Sequence, residues 1–165
     1  MLFRSGGATS RLSLPLEREA LCGKVLRVSV EKLIGGHSGV EINRGRANAN
    51  KILAAVLQQI PLRLISIAGG SKDNAIPRAC TAYVLTEASE AAFHEAYAEV
   101  KKSLPETETQ VEFTVCQAEC ALQPLTAASS KAFLGLLNDL PNGVQKMSAD
   151  IEGLEIGRAS CRERV

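Results

Sequence analysis

Between residues 25 and 116 the chain alternates between a two-residue and a helical apolar period in an order that leaves few folds open. Leu26, Val28 and Val30 alternate with Arg27, Ser29 and Glu31, the pattern of a half-buried strand. From Ala47 the apolar set Ile52, Leu53, Val56, Leu57 and Ile60 recurs at helical spacing, and Pro61 stops it. Two short apolar runs follow, at 62–68, closed by Gly69 and Gly70, and at 79–85. A second helical stripe joins Ala92, Phe93, Ala96, Tyr97, Val100 and Leu104. Thr86 is its predicted cap, with Glu87 and Glu90 suited to the positive end of the helix dipole. After Pro105 and the polar run 106–109, Val111, Phe113 and Val115 alternate with Glu112, Thr114 and Cys116. The order β-α-β-β-α-β predicts an α+β, ferredoxin-like sandwich, an antiparallel sheet with helices on one face. A third helix over 126–140 and one more strand over 144–151 extend it. The predicted inner side of that helix is Ala132, Phe133, Leu136, Leu137 and Leu140, and Pro141, Asn142 and Gly143 end it.

Composition narrows the class of protein. A chain of 165 residues, 45% apolar and 22% charged, is one domain able to bury a core. No run approaches the roughly 20 apolar residues of a membrane span, and residues 1–5 do not read as a signal peptide. A cytoplasmic location without a membrane partner is therefore expected. Five cysteines, Cys22, Cys80, Cys116, Cys120 and Cys161, are an odd and irregular set that fits reduced thiols better than a disulfide frame.

The two ends read differently from the middle. Residues 155–165 (EIGRASCRERV) have no apolar period and resemble the translation of a sequencing-library adapter, as do residues 2–5 (LFRS). On this expectation residues 1–5 and 155–165 are adapter-derived, 6–23 are a lead-in from a missing domain, and 24–154 are the folded unit. Without the two scars the basic count falls from 19 to 15 and the acidic count from 18 to 16, a net charge of −1. That balance, and a first strand without aromatic residues, argue against a nucleic-acid partner.

Candidate chemistry is sparse. His37 lies in Gly35-Gly36-His37-Ser38-Gly39, where flanking glycines let the backbone approach another surface. The imidazole either bonds within its own loop or projects to donate to a substrate carbonyl. Ser38 has no second histidine or acid arranged near it and reads as a turn residue. Asn74 and Arg78, in Asn74-Ala75-Ile76-Pro77-Arg78, offer an amide and a guanidinium for a carboxylate, or else form a polar turn stiffened by Pro77. An asparagine in the stretch 43–50 is a candidate helix cap, Lys51 is expected to face water, and His94 sits off the apolar stripe of its helix. Cys116 and Cys120 are four apart, but no other Cys or His cluster completes a zinc set, so no metal ligands are assigned within this chain.

The segments GGHSGVEINRGRANANK (35–51), NAIPR (74–78) and PNGV (141–144) together resemble the lid, or dimerisation, domain of aminoacyl-histidine dipeptidases, also called cytosol non-specific dipeptidases. These belong to a wider di-zinc peptidase group that includes carnosinases. The resemblance implies that the lid is inserted into a catalytic domain holding two zinc ions and a glutamate base. It implies that His37 is catalytic, polarising the scissile carbonyl within its own subunit or across a homodimer. It further implies that Asn74 helps hold the terminal carboxylate of a dipeptide and that Arg78 supports the Asn74 segment. On this reading the chain is the lid of a zinc dipeptidase acting on dipeptides such as Xaa-His, inactive without its catalytic domain. The alternative is a self-standing ferredoxin-like module that dimerises or binds a small ligand without catalysis.

Overall fold

The computed structural model describes residues 10–39, 41–70, 72, 74–159 and 163–164. Its frame is an antiparallel sheet of β1 (Val25–Glu31), β3 (Arg63–Gly69), β5 (Cys80–Leu85) and β6 (Glu112–Gln117). These run in the spatial order β6-β1-β5-β3, with the short β9 (Glu163–Arg164) added beside β3. With α1 (Ala49–Leu57) and α2 (Glu90–Lys101) between the strands, this is the predicted ferredoxin-like arrangement. Two further ladders lie outside the main sheet, β2 (Gly36–His37) with β4 (Ala75–Ile76) and β7 (Gly143–Met147) with β8 (Glu155–Ala159).

One core holds the layers together. Leu26, Val28 and Val30 of β1 are fully buried with Ala82 and Val84 of β5 and Leu64 of β3. Against them pack Leu53, Val56 and Leu57 of α1, Phe93 of α2, and Phe133, Leu134 and Leu137 of α3 (Ala127–Asp139). The helices share one face because the strand period sends these side chains to one side, leaving Arg27 and Glu31 on the other. Burying Phe93 completely contributes about 2–3 kcal/mol.

Details depart from periodicity for local reasons. Ser89, not Thr86, caps α2, its side chain accepting from the Ala92 N–H. Thr86 is instead buried, where Oγ1 donates to the Pro61 carbonyl at 2.7 Å and accepts from the Ala88 N–H at 3.1 Å. On α3 the buried side is Ser130, Phe133, Leu134 and Leu137, and Ala132 is exposed. The polar Ser130 is inside because its Oγ accepts the Leu64 N–H at 2.9 Å, while the Leu64 carbonyl accepts from Leu125 N–H at 2.7 Å. The rim of β3 is satisfied there by α3 and its lead-in rather than by a strand.

Lys51 does not simply face water. Its Nζ donates to the carbonyls of Leu137 at 2.9 Å and Asn138 at 2.8 Å, and also to that of Leu140. The ammonium thus caps the negative end of α3. The last predicted strand is shorter than 144–151, ending at Met147, and pairs with residues 155–159, where the adapter reading placed no element. Strand pairing is made by backbone groups, so a stretch without an apolar period can still pair. Among the described residues the buried core cluster ends at Leu137 and includes none of 156–159.

Candidate functional site

The glycine-rich loop leaves β1 through Lys32, a non-glycine residue in the left-handed region at φ 62°. The loop neck is then pinned to the second predicted segment by a reciprocal pair. Leu33 N–H donates to the Arg78 carbonyl at 3.2 Å, and Arg78 Nε donates to the Leu33 carbonyl at 3.0 Å. Gly35 follows at φ 61°, beneath the Arg78 side chain. A Cβ at that position would lie 2.2 Å from Arg78 Cγ, so both the dihedral and the close approach require glycine.

The two-residue ladder of β2 and β4 sets Gly36 opposite Ile76 and His37 opposite Ala75, and Ser38 N–H donates to the Asn74 carbonyl at 2.9 Å. His37, Asn74 and Arg78, singled out from two distant parts of the sequence, therefore lie on one short ladder and its flanks. All three are exposed. The segment behind them is anchored: Ile76 is buried, and the Pro77 carbonyl accepts the Ala49 N–H of α1 at 3.0 Å.

His37 is held through both backbone and ring. Its N–H donates to Glu41 Oε2 at 3.0 Å, its carbonyl accepts from Glu41 N–H at 2.9 Å, and its Nδ1 accepts the Gly39 N–H at 2.9 Å. A neutral imidazole whose Nδ1 accepts carries its proton on Nε2, so the hydrogen bonding selects one tautomer. Glu41 also accepts from Arg46 at 2.8 Å and pairs with Arg44 at 3.4 Å. The backbone N–H of His37 holds the Glu41 carboxyl below the ordinary 4.5; partial burial opposes this, and Arg46 and Arg44 assist it. Arg46 reaches the Gly35 carbonyl as well, tying the start of the loop to its end.

Three supporting groups were not apparent from pattern. Glu41 and Arg46 sit in a stretch without period, and Glu108 lay in what read as a polar break. Glu108 is only 7% exposed; its Oε2 accepts from Ile34 N–H at 3.0 Å and its Oε1 from Ala47 N–H at 3.2 Å. Asn48 is the cap of α1, accepting from Asn50 N–H, and its Nδ2 donates to Asn142 Oδ1 at 2.9 Å. That bond joins the first and third predicted motifs. His94 is exposed as expected and meets the Phe113 ring edge-on. Among the described residues there is no group of three or more His, Cys, Asp or Glu able to hold a metal ion. None of the helices among them is long and apolar enough to cross a membrane.

Compared with known proteins, residues 28–109 match the family described as peptidase dimerisation domain, a span that takes in β1 from Val28 on, the glycine-rich loop, α1, the β2–β4 ladder and α2. The chain belongs to the peptidase dimerisation domain family. This dimerisation domain is 34% identical over 161 residues to the cytosol non-specific dipeptidase of Escherichia coli (strain K12), covering 91% of this chain and 33% of that protein. It superposes on the crystal structure of aminoacylhistidine dipeptidase from Vibrio alginolyticus with a TM-score of 0.77 at 32% identity, over 86% of this chain and 31% of that one. The dimerisation domain thus spans about a third of the length of these two relatives.

Proposed function

We propose that this dimerisation domain is the lid of a zinc dipeptidase that hydrolyses dipeptides such as Xaa-His in the cytoplasm. In that role it presents His37, Asn74 and Arg78 to a metal site carried elsewhere in a longer chain. The single observation that carries the reading is the β2–β4 ladder, which gathers His37 and the Asn74 segment on one exposed edge. The names of the two relatives, both dipeptidases, support the reaction class.

The chemistry available to these residues is polarisation and binding. As a peptide carbonyl is attacked, negative charge grows on its oxygen, and an Nε2–H donor on His37 interacts more strongly with that oxygen than with the ground-state carbonyl. The Gly39 N–H on Nδ1 keeps the proton of the neutral ring on Nε2. The Asn74 amide suits a substrate's terminal carboxylate, and Arg78, engaged with the Leu33 carbonyl, holds the segment that carries Asn74. The described residues do not form a zinc site; two zinc ions bound outside this domain would supply the activated water. A homodimer fits the outer edge of β6, which has no strand beside it among the described residues.

The test is His37→Ala in the full-length enzyme. The expected result is a fall in kcat of about 100-fold to 1,000-fold with little change in KM and normal zinc content. Asn74→Ala should act mainly on KM, because a carboxylate contact exists before and during reaction. Loss of metal in the His37 variant, or near-normal kcat with only a raised KM, would refute the role. Mixing His37→Ala subunits with subunits disabled at the metal site separates the two geometries, since recovery of activity requires His37 to act across the dimer.

A further inference from the structure

We infer that Glu108 is a positioning residue for His37, an inference that rests on the role proposed above for that histidine. Glu108 belongs to the connection between α2 and β6, far from the glycine-rich loop in sequence. Yet its two carboxylate oxygens accept from Ile34 N–H and Ala47 N–H, at the two ends of that loop. A carboxylate offers two acceptor oxygens and no donor, so one side chain satisfies two backbone donors that neither helix nor sheet takes up. The connection is itself braced, Glu108 N–H donating to the Pro105 carbonyl at 3.0 Å.

Burial makes the choice of residue informative. A carboxylate 7% exposed that makes no salt bridge among the described residues carries a desolvation penalty an apolar side chain would avoid. Charge-assisted bonds to the two N–H groups offset it. What these bonds achieve is geometric: they fix the distance between the entry and exit of the loop. Arg78 grips the same neck from the opposite segment at Leu33, one residue before Ile34. His37 lies three residues beyond Ile34, so its place on the β2–β4 ladder depends on a neck held from both sides.

The experiment compares the chain with its E108Q variant by amide hydrogen exchange. Glutamine keeps the size and one acceptor but turns an NH2 group against the second N–H. The expected result is exchange at Ile34 or Ala47 at least about tenfold faster, the equivalent of one charge-assisted bond. Amides of Val28 and Leu53 should keep their rates. The E108D variant, which retains both acceptors, should recover part of the protection, and the ring nitrogen shifts of His37 in E108Q should show loss of the single tautomer. Unchanged exchange at Ile34 and Ala47, or equal acceleration across the whole chain, would overturn the inference. In the full-length enzyme E108Q should lower kcat about tenfold with KM within about a factor of two. A loosened loop with normal kcat also overturns the positioning role. Whether the His37 reading itself stands is decided separately by His37→Ala.

Discussion

Gly35 and Gly45 have nearly the same backbone conformation, φ 61° and φ 63°, in very different surroundings, and replacing each by alanine separates strain from packing. A Cβ at Gly45 meets nothing within 4 Å. The cost there is the left-handed conformation, about 1–2 kcal/mol for an L residue, less roughly 0.5–1 kcal/mol from the reduced freedom of the unfolded chain. A net loss of about 1 kcal/mol is expected. A Cβ at Gly35 would lie 2.2 Å from Arg78 Cγ, 2.8 Å from Arg78 Cδ and 3.1 Å from the Ile76 carbonyl oxygen. The arginine is an exposed, flexible side chain and can swing away, but it then gives up the bond to the Leu33 carbonyl. At the low end for a charged donor that adds about 1.5–2 kcal/mol, so Gly35→Ala should lose roughly 3 kcal/mol in total. With Tm moving about 2–4 °C per kcal/mol at this chain length, the two variants should differ by about 3–8 °C. Thermal and urea unfolding followed by circular dichroism measure it, and exchange at the Ser38 amide reports whether the bond to Asn74 loosens. Equal losses at the two glycines would refute the packing of Arg78 over Gly35.

Three other perturbations test separate contacts. Tyr97→Phe removes a buried hydroxyl without a hydrogen-bond partner among the described residues and should stabilise the fold by about 1 kcal/mol in urea unfolding. Burial raises the Tyr97 phenol above the ordinary 10.0, so its contribution is full below that value and lost as pH rises through the raised folded value. The Phe variant should lack that component of alkaline destabilisation, which a Tm series in alkaline buffer would detect. Lys51→Met keeps the aliphatic stem but uncaps the end of α3, and should cost about 2 kcal/mol by urea unfolding, with fraying reported by exchange of the α3 amides. Glu41→Gln tests the depressed carboxyl: its contribution is present above 4.5 and lost as pH falls through the lower folded value, so the variant should show a flatter acid limb of Tm against pH.

The sequence by itself determined the sheet and its helical layer. Leu26, Val28 and Val30, the α1 stripe from Ile52, and the α2 stripe through Phe93 are buried where their periods place them. Period decides which side chains share a face, and a chain with one apolar face per element has few ways to bury them all. Glycines and asparagines also marked the loops, since their backbone demands are local. Tertiary structure alone decided the partners. A two-residue ladder such as β2 with β4 leaves no periodic trace, so nothing in the composition of either segment joins His37 to Ala75. Likewise Lys51 ends on three carbonyls at the C-terminal end of α3 and its cap, and Glu108 on two loop amides. A charged side chain carries no mark of its destination; where it goes depends on which unsatisfied backbone groups the packed helices and strands bring within its reach.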